Sequence, residues 1–213
     1  NQAILSGLCT VQVQDQVENS LELPEVKDVL IIGYSGSIGA SLVEKIMQRP
    51  NCRVIGVSRN ALPINSQLTK YLENGRLITF ESDISEPKAI IRLFENLKTM
   101  NITLSGLVNI FSSPVKFGTV EELEWDFVKN VLVSEVGAVY EVKRRSVEIM
   151  KHHRQGSIVL LSSAASLNLE TMEWMTYNLI KSNINTLTKI FAREFGQYNI
   201  RINAVAPGLL ETK

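Results

Sequence analysis

From Asp28 onward, short apolar runs alternate with longer amphipathic stretches. Asp28-Val29-Leu30-Ile31-Ile32, Val54-Ile55-Gly56-Val57, Leu77-Ile78-Thr79-Phe80, Leu107-Val108-Asn109-Ile110, Ile158-Val159-Leu160-Leu161 and Ile200-Arg201-Ile202-Asn203-Ala204-Val205 read as strands. Between them the pattern predicts helices over 40–47 and 86–100, a long helical stretch over 120–153 broken once, and a helix carrying Tyr177 and Lys181 that runs on to Phe195. In 86–100 the apolar positions Ile90, Leu93, Phe94 and Leu97 share one face. Continuous apolar strands separated by amphipathic helices predict an α/β fold: one domain, with a doubly wound parallel sheet covered on both faces. Ligands of such sheets bind beyond the carboxyl ends of the strands, where Gly33, Ser58, Asn109 and Ser163 fall.

Residues 1–27 stand outside this pattern. Thr10-Val11-Gln12-Val13-Gln14 alternates like an edge strand, and Leu21-Glu22-Leu23-Pro24 reads as extended linker. The organisation expected is an N-terminal extension or linker over 1–27 and a dinucleotide-binding domain over 28–213. The extension reads as a packing arm, a remnant of an upstream domain or a contact with a partner.

Composition narrows the function classes. The chain has 213 residues, 45% of them hydrophobic, enough for one sizeable core. Lys+Arg and Asp+Glu balance at 22 each, so net charge implies no nucleic-acid partner. The basic run Lys151-His152-His153-Arg154 lies where a helix should end, a position that favours cations. Cys9 and Cys52 make neither a disulfide framework nor a zinc ligand set. The expectation is a reduced, cytoplasmic setting without a metal. No run reaches the roughly 18 apolar residues of a membrane span, and the N-terminus lacks a basic region followed by an apolar core. No membrane partner and no signal peptide are expected.

The chemistry concentrates in a few places. The first strand leads into Gly33-Tyr34-Ser35-Gly36-Ser37-Ile38-Gly39 and then a helix. Glycines there let backbone approach a pyrophosphate, and the helix N-terminus offers it free N–H groups. Tyr177 and Lys181 are four residues apart and so share a helix face. An ammonium beside a phenol favours the phenolate and makes the tyrosine a proton donor near neutral pH. Ser163 ends the fifth strand, where a hydroxyl can hold a carbonyl oxygen. Each residue also has a plain reading: a turn-capping serine, a packing aromatic, a lysine laid along an apolar surface. Beyond Val57 come Ser58-Arg59-Asn60 in place of the acid that accepts a ribose 2′-hydroxyl, and a guanidinium suits a 2′-phosphate. Arg59 also reads as an ordinary surface arginine.

Taken in order, the glycine turn, Asp83, Asn109, Ser163, Tyr177, Lys181 and Asn203-Ala204-Val205-Ala206-Pro207-Gly208 resemble the short-chain dehydrogenase/reductase family from about Asp28 to the end. The resemblance implies a Rossmann-like fold and an NADP(H)-dependent oxidoreductase acting on a small carbonyl or alcohol, with NADPH preferred to NAD. It implies Tyr177 as general acid or base, Lys181 on the nicotinamide ribose, and Ser163 on the substrate oxygen. Gly33, Ser35, Gly36, Ser37, Ile38 and Gly39 would lie at the pyrophosphate. Ser58 and Arg59 would take the 2′-phosphate, Asp83 and Asn109 the adenosine side, and Pro207-Gly208 the nicotinamide end. A homodimer or homotetramer paired through the two long helices is also implied.

The departures are specific. Ser37 replaces the middle glycine of the turn, and Asn109-Ile110-Phe111-Ser112 replaces Asn-Asn-Ala-Gly. Glu135 stands where the family has a water-anchoring asparagine. It is expected to alter the pH profile without abolishing turnover, by holding a water or pairing with Lys181. Only Leu209 to Lys213 follow the Pro-Gly motif, short of the family's usual C-terminal segment. These departures keep open an alternative: a catalytically silent nucleotide-binding sensor or scaffold of the same fold. Leu167, Leu169, Met172, Trp174 and Met175 suggest an apolar substrate lining.

Overall fold

The computed structural model describes residues 27–61, 66–113, 115–168 and 172–209. Thr10–Gln14, Cys9 and Leu169 lie outside the described residues. In chain order the elements are β1 (Lys27–Ile32), α1 (Ser37–Met47), β2 (Cys52–Ser58), α2 (Ser66–Glu73), β3 (Leu77–Glu81), α3 (Pro87–Thr99), β4 (Leu104–Asn109), α4 (Trp125–Val131), α5 (Gly137–His153), β5 (Gly156–Leu161), α6 (Ala165–Asn168), α7 (Met175–Phe195) and β6 (Ile200–Val205). The strands form one parallel sheet in the order β3-β2-β1-β4-β5-β6. The chain winds outward from β1 to β3, then crosses back to β4 and winds the other way. That reversal opens a crevice above the carboxyl ends of β1 and β4.

Alternation along the strands sorts their side chains between two cores. Leu30, Ile32, Ile55, Val57, Leu107 and Ile158 pack against Ile90, Leu93 and Leu97 of α3, Val142 and Met150 of α5, and Ile180, Ile184 and Phe191 of α7. On the opposite face Ile31, Val54 and Leu77 meet Val43 and Met47 of α1 together with Tyr34 and Leu68. At the lower end of the sheet Asp28, almost wholly buried, takes a two-pronged ion pair from Arg53 at 2.7 and 2.8 Å and a backbone N–H from Thr103 at 3.2 Å. One carboxylate thus fastens β1, β2 and the entry to β4.

Several expected boundaries move. The first helix begins at Ser37 because Gly36 is extended (φ −72°, ψ 165°) and serves as its N-cap. The 120–153 stretch becomes helical only at Trp125, after an extended Glu124 (φ −61°, ψ 142°). It is not broken: a π-turn over Leu132–Val136 joins α4 to α5, and the residues flanking it keep right-handed helical angles. Two short helices, α2 and α6, were not anticipated, because at eight and four residues they are too brief to display a period. Among the described residues no helix is long and apolar enough to cross a membrane.

Candidate active site

The glycine turn closes over the carboxyl end of β1. Gly33 adopts φ +89°, a left-handed conformation, and its N–H donates to Val57 at 2.8 Å. A Cβ on Gly33 would stand 3.3 Å from the backbone at Ile110 and Phe111. A Cβ on Gly39 would stand 2.7 Å from the Tyr34 backbone, so α1 can approach the turn only with glycine there. Gly36 is under no such constraint, since its Cβ would meet Gly33 O at an ordinary 3.6 Å. The two glycines that the packing requires are therefore Gly33 and Gly39. Ser37 sits exposed at the first helical position, where it costs the turn nothing. No side chain caps this end of α1 and its first turn carries no acid, leaving an anion-binding terminus uncontested.

Beside the turn lies a cavity of about 250 Å³ lined by Gly33, Ser35, Gly36, Ser58, Arg59, Asn60, Ile110, Phe111 and others. Among the described residues no carboxylate lines it. The Ser58 hydroxyl donates to the Asn60 carbonyl at 2.6 Å and shapes the loop that carries Arg59. Phe111 packs half-buried against the larger core and forms part of the cavity wall. Asp83 is not among these residues. Its carboxylate accepts from the Ser85 N–H at 3.0 Å and hydroxyl at 2.7 Å, and it lines a neighbouring hollow of about 370 Å³ with Phe80 and Arg92. Asn109 is buried, and its Oδ1 accepts from the Phe111 N–H at 3.1 Å. Its Nδ2 has no partner among the described residues.

The second cluster joins the end of β5 to α7 and the π-turn. Lys181 is 2% exposed, and its Nζ donates to the Leu161 carbonyl at 3.4 Å. It stands 5.5 Å from the centre of the Tyr177 ring and 3.6 Å from Glu135 Oε1. Burial pulls the Lys181 pKa down, and the charge and hydrogen bond of Glu135 oppose that fall. Glu135 is wholly buried and accepts also from the Ser113 N–H at 2.8 Å and the Ser112 hydroxyl at 3.2 Å. Its carboxylate thus ties the segment after β4 to the lysine.

Ser163 is buried just past β5, with its hydroxyl accepting from the Ala165 N–H at 3.3 Å. A network absent from the sequence reading fixes that turn. Ser166 Oγ donates to the Ser163 carbonyl at 2.7 Å and accepts from Asn185 at 2.9 Å, while Ser162 Oγ donates to the Lys181 carbonyl at 3.3 Å. Pro207 follows β6 into the same corner, its carbonyl accepting from the Ala164 N–H at 2.9 Å, whereas Gly208 is exposed. The serines around Ser163 were the one sequence signal of this network, but serine runs are common in turns. Among the described residues no three His, Cys, Asp or Glu side chains could hold a metal.

The fold is shared with known proteins. Residues 27–213 match the family model for short chain dehydrogenase. The chain is 26% identical over 190 residues to the 3-oxoacyl-[acyl-carrier-protein] reductase of Chlamydia trachomatis, covering 87% of this chain and 75% of that one. A short-chain dehydrogenase from Streptomyces avermitilis superposes with a TM-score of 0.79 at 21% identity, covering 88% and 68% of the two chains. A 4-hydroxyisoleucine dehydrogenase complexed with NADH gives 0.75 at 26% identity, covering 87% and 74%.

Proposed function

The chain belongs to the short-chain dehydrogenase/reductase family, and on that premise we propose that it is an NADP(H)-dependent oxidoreductase exchanging hydride with a small carbonyl or alcohol, with Tyr177 as its acid–base group. The observation that carries the reading is the buried Lys181 held beside the Tyr177 ring, 5.5 Å from its centre, on one face of α7. The shared helix face places the phenol to reach a substrate oxygen with the lysine held beside it. Ser163, steadied through Ser166 and Asn185, offers a hydroxyl to the oxygen that gains charge.

The residues fit a dinucleotide. The uncapped start of α1 with Gly33, Ser35, Gly36, Ser37, Ile38 and Gly39 would take the pyrophosphate, and the cavity at Ser58 and Arg59 the ribose. Asn109 and Asp83 would serve the adenosine side, and Pro207 and Gly208 the nicotinamide end, Pro207 being bonded to the Ser163 turn through Ala164. A bound nicotinamide supplies the hydride. The 4-hydroxyisoleucine dehydrogenase carries NADH. Preference for NADPH here rests on Arg59 standing where a carboxylate would face the 2′-hydroxyl.

Glu135 acts through Lys181. Its charge and hydrogen bond oppose the fall that burial imposes on the lysine pKa. Glu135→Asn removes that support, so Lys181 deprotonates at lower pH and the alkaline limb of the rate profile moves down. An unchanged rate and pH optimum would sink this role.

The silent nucleotide-binding alternative is favoured by one observation, the bulk of Phe111 in the cavity wall. Titration of the chain with NADPH and NADH, followed by Trp125 and Trp174 fluorescence, tests both readings. Saturable micromolar NADPH binding, weaker for NADH and kept in Tyr177→Phe, is expected, with carbonyl reduction falling about 10²–10⁴-fold in that variant. Binding without turnover favours the silent alternative. No binding of either nucleotide overturns both.

A further inference from the structure

Three aromatic rings run in a row to the proposed acid. Phe117 and Trp174 have ring centres 5.4 Å apart at 43°, and Trp174 and Tyr177 have theirs 5.4 Å apart at 89°. The row is pinned from both sides. The Gly118 N–H donates to the Glu173 carbonyl at 2.7 Å, and the Thr176 hydroxyl donates to the Lys116 carbonyl at 3.1 Å. These bonds hold the 115–118 segment against the start of α7 and give the rings a fixed spacing. Tyr177 and Trp174 are half-buried, and the outermost ring, Phe117, is 53% exposed. Met172 and Leu167 stand open to water nearby in the chain, at 87% and 60% exposure.

Among the described residues the charges at this wall lie on its rim: Lys116, Glu173 and Glu122, whose carboxylate accepts from the Thr119 N–H at 2.8 Å, while the Lys116 ammonium lies over the Phe127 ring at 5.7 Å. Lys181, the buried cation, is already paired with Glu135. Among the described residues a carboxylate or phosphate on the substrate finds no unpaired buried cation here. A flat apolar body finds ring faces that lead to the Tyr177 phenol.

Resting on the oxidoreductase reading above, we propose that the substrate is an aryl or fused-ring ketone, or its alcohol, whose ring stacks along Phe117 and Trp174 while its carbonyl reaches Tyr177. Phe117 and Trp174 are then specificity determinants, and the site disfavours short aliphatic and anionic carbonyl compounds.

The test compares 2-acetylnaphthalene, 2-butanone and pyruvate as substrates of the full chain with NADPH, alongside calorimetric binding of 2-acetylnaphthalene. The aryl ketone is expected to have the highest kcat/KM, by about 100-fold. Phe117→Ala, a change at an exposed ring, should raise its KM and weaken its binding about ten-fold with much less change in kcat, the size of one lost stacking contact. Equal use of 2-butanone or pyruvate, or an unaltered KM and affinity in Phe117→Ala, overturns the proposal. Calorimetry keeps the two readings apart. Aryl binding that weakens in Phe117→Ala without any turnover supports the aromatic wall and counts against the reductase. Turnover of 2-butanone with no aryl binding does the reverse.

Discussion

Lys143 is the residue least expected from its type. It lies on α5, wholly buried, with Nζ lacking any hydrogen-bond partner among the described residues and standing 3.9 Å from the centre of the Phe191 ring. The ring face favours an ammonium, but burial wins and lowers the pKa from 10.5 to about 7. The sign of the stability effect follows. Between pH 7 and 10.5 the unfolded chain holds a proton that the native chain has released, so stability rises with pH across that window. Below pH 7 the native state must bury the charge. Lys143→Met removes this cost, and thermal or urea unfolding should show the variant more stable at pH 6 by on the order of 3 kcal/mol. The gap should narrow steadily towards pH 10, and a gap independent of pH would refute the assignment.

At the scale of elements, the nucleotide turn depends on α1 seating tightly against β1. Gly39 is the point of closest approach, because a Cβ there meets the backbone of Tyr34 rather than a side chain that can move aside. Gly39→Ala should push α1 away from the turn. NADPH affinity is expected to fall at least about ten-fold and stability by ~1–3 kcal/mol, the range of an overpacked core site, read by titration and by denaturant midpoint. Gly36→Ala meets only ordinary contacts and is the matched control for stability. The π-turn at Leu132–Val136 matters at this scale too. It leaves Val133 65% exposed while Glu135 is wholly buried at Lys181. Such single wide turns are common at functional sites.

At the scale of the molecule, the described residues cover the two faces of the sheet unequally. The face carrying α3, α5 and α7 holds the larger core. The α1 face has a groove of about 530 Å³ over β4 and β5, where Val108 and Val159 are half-buried and Arg201 of β6 is exposed. Outward from the sheet, Tyr140 of α5 and Leu179 and Ile190 of α7 are exposed. The eleven residues between Leu179 and Ile190 return to nearly the same side of a helix, so α7 presents exposed apolar positions on one side. This favours pairing of two copies through the long helices. Light scattering should give a dimer or tetramer that Ile190→Asp shifts towards monomer, and a wild-type monomer at tens of micromolar would refute the pairing.

Sequence alone determined the sheet-and-helix alternation, because a strand's apolar run and a helix's period are local and repeat within a few residues. It likewise marked Tyr177 with Lys181, one helical turn apart, and the glycine turn, whose demand on φ is a property of single residues. Glu135 was legible only through family resemblance, by its place in a known pattern. Tertiary structure alone decided the rest. It chose the order β3-β2-β1-β4-β5-β6, and it sorted Gly33 and Gly39 from Gly36 by what stands next to each. It also brought Ser113 and Lys181 to one carboxylate and Phe117 to Trp174. These are meetings of segments up to some seventy residues apart. No local period encodes them, because packing of the α-helices on the sheet, rather than any residue's own preference, sets which distant side chains share a space.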